Sequence, residues 1–207
     1  MIGSQTIATY IDRLASHDPT PGGGAAGAMH AAQAAALIAM VARFTTGKRF
    51  AAYEQQVSRI SASADKHAKT ALQLADADET AFQQVIAAYR LPKGSEEEAT
   101  IRSQAIQSAL VAAAAPPQRL VDLAAEIVSA GEELAAFANP NVISDVAAAA
   151  EAARAAAATA RVNIEINLTG ITDADRTAPL RRSIAAADAV IGAAEALAGR
   201  VRQQIVA

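Results

Sequence analysis

Residues 20–44 read TPGGGAAGAMHAAQAAALIAMVARF, and this stretch decides the fold. Three glycines after a proline make a tight turn, and the 18 residues 25–42 that follow carry only His30 and Gln33 as clearly polar interruptions. Such a run is near the length of a membrane span. Alanine contributes little transfer energy, however, and a run dominated by it and ending at Arg43 predicts a helix buried between other helices, in one protomer or between two.

The rest of the chain agrees. Of 207 residues, 58 are alanine, seven are phenylalanine or tyrosine, and none is cysteine or tryptophan. This composition favours long helices packed closely through small side chains and disfavours a sheet. No second compositional regime marks a domain boundary, so residues 1–207 are expected to form a single all-α domain. A net charge of −3 without a basic tract gives no footprint for nucleic acid. The lack of cysteine excludes disulfides, thiolate metal sites and a catalytic thiol. The N-terminus has neither a charged leader region nor an apolar core, which leads to the expectation of a cytoplasmic protein with no membrane partner.

Punctuation predicts about six helices. Ile7, Tyr10, Ile11 and Leu14 make one apolar stripe over residues 5–15. The alanine helix runs to about Phe44, and a third helix from about Phe50 to Tyr89. Ser95 and Glu98 fit a capping box that starts a fourth near Glu96. Pro116-Pro117 allows a kink or break before a stretch to Phe137. Ser144 or Asn141 can cap a helix through Ala160, and residues 163–168 either extend it or alternate as a short strand; the absence of a breaker favours helix. Pro179 is expected in the first turn of a last helix. Alanine faces bury little area each, so an elongated bundle of this kind is expected to cover them in a homodimer.

Few residues carry chemistry. Gly22, Gly23 and Gly24 stand before a helix start, where free amides favour a carboxylate or pteridine edge, though on motif grounds alone a plain tight turn is the better explanation. Asp76 and Asp78 fall mid-helix, a poor place for aspartate. Facing the bundle, either would have its pKa raised towards a range useful for proton transfer; facing water, it would be ordinary. His30 and Gln33, three apart, read as a hydrogen-bonded buried pair or as part of a pocket wall. His67, between Lys66 and Lys69, reads as solvated. Asp145 at a helix start can simply serve the helix dipole, and Asn163 and Asn167 can bond a ligand or a neighbouring helix. No His/Glu cluster has metal-ligand spacing, so no metal is expected.

Several motifs in order resemble the formiminotransferase-cyclodeaminase C-terminal domain family. They are Thr20-Pro21-Gly22-Gly23-Gly24 before the small-residue helix, Thr45-x-Gly47-Lys48, Asp78-x-x-Ala81-Phe82, Leu91-Pro92-Lys93, Asn141-x-x-Ser144-Asp145, and Asn163-x-x-Ile166-Asn167-Leu168. The resemblance spans about residues 5–200. It implies an all-helical, homodimeric enzyme whose substrate is a tetrahydrofolate derivative and which uses no metal. The expected reaction is hydrolysis of 5,10-methenyltetrahydrofolate to 10-formyltetrahydrofolate; the alternatives are formimidoyltetrahydrofolate cyclodeaminase, or a divergent member with another substrate or only a binding role. By the same resemblance Asp78 is the catalytic acid/base. Asn141 and Asp145 lie near the folate, Lys48 or Lys93 meets the carboxylates of its glutamate tail, and Gly22–Gly24 let backbone approach it. The chain departs from the family pattern at Arg43, where an asparagine is usual, at Arg49-Phe50, and at His30 and Gln33, where small residues are usual. A pocket wall altered by His30 would change specificity.

Overall fold

A computed structural model of the chain describes residues 1–206. Within them the fold is all-α, with no strand: α1 Ile7–Leu14, α2 Gly23–Phe44, α3 Glu54–Tyr89, α4 Glu96–Ala113, α5 Ala115–Ala135, α6 Ser144–Gly170 and α7 Ala174–Val206. A 3-10 turn over Lys48–Tyr53 leads into α3, so the third helix begins later than its periodicity suggested.

The alanine helix α2 is the centre of the bundle, packed against α3, α5 and α6. It is long and apolar enough to cross a membrane, but most of it is buried among its neighbours. Ala25, Ala28, Ala31, Ala35, Ala39 and Ala42 are fully buried on it. A Cβ built on Gly27 would lie 3.0 Å from Thr159 of α6, and one on Gly131 of α5 would lie 3.0 Å from Leu197 of α7 and 3.3 Å from Ile38 of α2. Small residues thus set the interhelical distance, and dispersion contacts between near backbones replace the area that large side chains would bury.

Pairings fix the directions. Arg43 pairs with Asp65 and Gly24 lies against Asp78, so α3 runs antiparallel to α2. Gly23 faces Asn163 and Gly27 faces Thr159, so α6 does likewise. Both α4 and α5 run opposite to α3, as Arg102 bonds the Tyr89 carbonyl and Arg59 pairs with Glu133. They form one rod jointed at Ala114, with Pro116 and Pro117 in the first turn of α5, where a missing N–H breaks nothing. At about 1.5 Å per residue α3 is roughly 54 Å long and α2 roughly 33 Å, so α3, α4 and α6 project beyond the N-terminal end of α2.

Several expectations need correction. Residues 163–168 are helical, as favoured, but the N-cap of α6 is Ile143, and neither Ser144 nor Asn141 caps it. The last helix opens at Ala174, five residues before Pro179; the Asp173 carboxylate accepts from the N–H groups of Asp175 and Arg176 and starts it there. On α1 only Tyr10 is buried, while Ile7 and Ile11 face solvent in the monomer. His67 is buried: its Nε2 lies 2.8 Å from Glu126 Oε2 and 3.3 Å from Ser63 Oγ, and its Nδ1 has no partner.

Candidate functional site

Because α2 is shorter than the helices around it, its N-terminus forms the floor of a cleft. Thr20, Gly22, Gly23 and Gly24 supply that floor, Asp78 and Phe82 of α3 one wall, Ala113 the end of α4, and Asn163, Ile166 and Asn167 of α6 the other wall. The space is about 140 Å³. Of the residues singled out in the sequence it gathers Asp78, the three glycines, Asn163 and Asn167. Thr20, Phe82 and Ile166 entered only as members of the family motifs, and Ala113 had no signal in the sequence.

Asp78 is held at the start of α2. A Cβ on Gly24 would fall 2.0 Å from its Oδ1 and 2.5 Å from its Oδ2, so the carboxyl group lies flat against glycine backbone that no other residue could present. Burial pushes the Asp78 pKa above the usual carboxylate range; a backbone hydrogen bond from Ala25 opposes this, and the charge of Glu79 adds to it. Behind the carboxyl group lies a small apolar void of about 10 Å³ between Gly24, Ala28, Leu74, Pro116, Pro117 and Leu120. With so little space and so few polar partners it stays dry, which accounts for the burial cost. The group that meets the glycine turn is the protein's own carboxyl side chain.

Asn163 and Asn167 orient the opposite wall. Asn163 Nδ2 donates to the Thr159 carbonyl at 2.8 Å, and Asn167 Nδ2 to the Asn163 carbonyl at 2.8 Å and the Ala113 carbonyl at 3.5 Å. With the amide nitrogens committed to main chain, both Oδ1 atoms remain acceptors for whatever enters the cleft. Phe82 and Ile166 stand exposed at its mouth as an apolar rim. The cleft thus offers an apolar lip, two neutral acceptors and one carboxyl group whose pKa burial raises, a set that suits a planar, donor-rich, cationic molecule.

The remaining predicted residues lie elsewhere in the chain. His30 is half-buried and Gln33 exposed; they are neither a bonded buried pair nor part of this cleft's wall. Together with Ala26, Met29, Ala36, Leu37 and Met40 they make a stripe along the one side of α2 that no helix fully covers. Lys48 is exposed beside a second cavity formed by Thr45, Gly47, Phe50 and Val57. Asn141 follows Asn139, whose Nδ2 donates to the Phe44 carbonyl, and Asp145 sits in the first turn of α6. All three are at the C-terminal end of α2, about 30 Å from Asp78 within one chain. Lys93 is exposed in the α3–α4 turn. Arg43, paired with Asp65, also belongs to the far end. Among the described residues no group of three His, Asp or Glu side chains is disposed to hold a metal.

Comparison with known proteins agrees with the geometry. The chain is 36% identical over 174 residues to the methenyltetrahydrofolate cyclohydrolase of Methylorubrum extorquens, covering 84% of each chain. It is 32% identical over 169 residues to the formimidoyltransferase-cyclodeaminase of Rattus norvegicus, covering 81% of this chain and 31% of that longer one. The crystal structure of a formiminotetrahydrofolate cyclodeaminase from Thermotoga maritima superposes with a TM-score of 0.88 at 30% identity, each chain covered in full. The family model described as formiminotransferase-cyclodeaminase matches residues 6–186, and the chain belongs to that family.

Proposed function

We propose that this protein hydrolyses 5,10-methenyltetrahydrofolate to 10-formyltetrahydrofolate, with Asp78 as acid/base. The observation that carries the reading is the Asp78 carboxyl group, held in a cleft at the start of α2 with its pKa above the usual carboxylate range. Asp78 takes a proton from the water that attacks the amidinium carbon. It then returns that proton to N5 as the carbon–N5 bond breaks, while the hydroxyl proton of the adduct leaves to solvent, so the cationic substrate and water give the neutral N10-formyl product and one free proton. As a carboxylate it also stabilises the cationic one-carbon group before attack. The Oδ1 atoms of Asn163 and Asn167 accept from the pterin N–H groups, and Phe82 and Ile166 cover the aminobenzoyl ring. No metal is required by this scheme.

The full-length match to a cyclodeaminase structure favours a second reading, in which N10 attacks a formimino carbon and ammonia leaves. Purified protein incubated with 5,10-methenyltetrahydrofolate distinguishes them. Loss of the methenyl absorbance well above the no-enzyme blank, abolished in Asp78→Asn and in Gly24→Ala, is expected. No acceleration, with ammonia released from 5-formiminotetrahydrofolate, would replace the first reading by the second.

The working unit in this proposal is a homodimer. The uncovered stripe on α2 centres on Gln33, the middle of the helix, and a two-fold axis there lays two α2 helices antiparallel. That arrangement carries Lys48, Asn141 and Asp145 of one protomer to the Asp78 cleft of its partner, where the positive charge and polar groups meet the glutamate tail and the ring system.

A further inference from the structure

Two side chains of α1 converge on the residue that follows Asp78. Arg13 Nη2 donates to Glu79 Oε1 at 2.8 Å, and the Glu79 side chain is only 15% exposed. Tyr10 is buried nearby with its hydroxyl unpartnered, its pKa raised by burial and then by the Glu79 charge. The segment before them is fastened to the same helix, since the Ile2 N–H donates to Asp76 Oδ1 at 2.6 Å and Ile2 itself is buried. The segment after them leads directly into Pro19 and Thr20 at the cleft.

Charges around Asp78 are few. On α3 its neighbours are Glu79 and Asp76, the latter occupied by the Ile2 N–H. From α2 comes the Ala25 N–H, with His30 further along the helix and outside the cleft. The α4–α5 joint presents Ala113, Pro116, Pro117 and Leu120, all uncharged, while Arg119 lines a separate groove with Asp76. From α6 come the neutral Asn163 and Asn167. Within one chain, among the described residues, Glu79 is thus the close charge that acts on Asp78, and Arg13 is its ion-pair partner; the charges that the proposed dimer adds, Lys48 and Asp145 of the partner subunit, are common to every variant compared below.

We propose that Arg13 is a positioning residue of the site: through its ion pair with Glu79 it sets how much negative charge Asp78 meets, and it ties α1 and the Pro19–Thr20 wall to the helix that carries Asp78. The proposal rests on the reading of Asp78 as acid/base. Removing Arg13 leaves the Glu79 charge uncompensated, so Asp78 holds its proton to higher pH. Removing Glu79 has the opposite sign, and removing both follows Glu79 alone.

The test is the titration of the Asp78 side-chain carboxyl by carbon NMR in aspartate-labelled protein, assigned by its disappearance in Asp78→Asn. Arg13→Gln is expected to raise the midpoint by about half a unit, while Glu79→Gln and the double variant lower it, and Arg13→Lys restores the original value. The acid limb of kcat/KM for methenyltetrahydrofolate should move in the same direction in each variant. A midpoint unmoved by Arg13→Gln, or a double variant that behaves like Arg13→Gln alone, overturns the proposal. Glu79→Gln supplies the second arm if Arg13→Gln fails to fold. Midpoints that move as expected in a protein inactive on both folates would leave the coupling standing and remove the folate reading instead.

Discussion

Asp78 holds together two demands that conflict. Its carboxyl group accepts a hydrogen bond at the start of α2, which favours the charged form, yet it sits against Gly24, Leu74 and the two prolines, where charge is costly. The net shift of its pKa is upward, because burial is the largest cause and Glu79 adds to it. A group whose folded pKa is raised contributes nothing unfavourable below its unfolded pKa and destabilises the fold as pH rises through the folded value. Asp78→Asn, which keeps an acceptor for the Ala25 N–H, is therefore expected to melt higher than the parent at pH 7, with the difference fading to zero towards pH 3 to 4. Thermal melts across that range check it; equal melting temperatures at pH 7 would mean the carboxyl group is not strained by its surroundings. The sequence exposed Asp78 as an awkward mid-helix residue, and family resemblance gave it a role. It did not expose Arg13 or Glu79, because an arginine on a short amphipathic helix and a glutamate beside an aspartate look like ordinary solvated charges until the fold brings them together.

Element boundaries followed local chemistry wherever a single cap or breaker acts. Ser95 accepts from the Glu98 N–H and Glu98 bonds the Ser95 N–H, the reciprocal pair expected from the sequence. Substituting Ser95 by alanine is predicted to cost about 1 kcal/mol, read from chemical denaturation, with methenyltetrahydrofolate turnover unchanged since the cap lies at the opposite end of α4 from Ala113. The start of α7 was not legible, because Pro179 carries the stronger sequence signal and Asp173 stands in a stretch with no apolar periodicity; the aspartate cap starts the helix, and Pro179 falls inside it, where it forgoes one main-chain hydrogen bond. His67 misled for a similar reason. Flanking lysines mark a wet face, but a helix turns about 100° per residue, so His67 faces α5 while both neighbours point away.

At the scale of the whole molecule, the all-helical class was evident in the alanine content, whereas the division of motifs between two distant ends of α2 was not. Sequence order says nothing about which end of a helix a residue reaches. The homodimer proposal makes that division its own test. Leu37→Glu, on the uncovered stripe, is expected to yield monomers by light scattering and to lose activity with the helical content retained. Mixing Asp78→Asn with Asp145→Asn, each inactive alone, should restore about a quarter of the parent activity, since half of randomly formed dimers contain one complete site. No recovery on mixing, with exchange of protomers verified, would confine the site to one chain.

The unequal helix lengths have a consequence for how such a bundle can diversify. The cleft is a gap left by a short member in a row of longer ones, and its depth is set by the number of turns by which α3, α4 and α6 overshoot α2. Adding or deleting one turn at the free end of those helices would change its reach by about 5.4 Å without disturbing Asp78, the glycine floor or the alanine seam. The scaffold works as a gauge, in which the length of an admissible ligand is measured in helical turns and adjusted separately from the chemistry performed at its base.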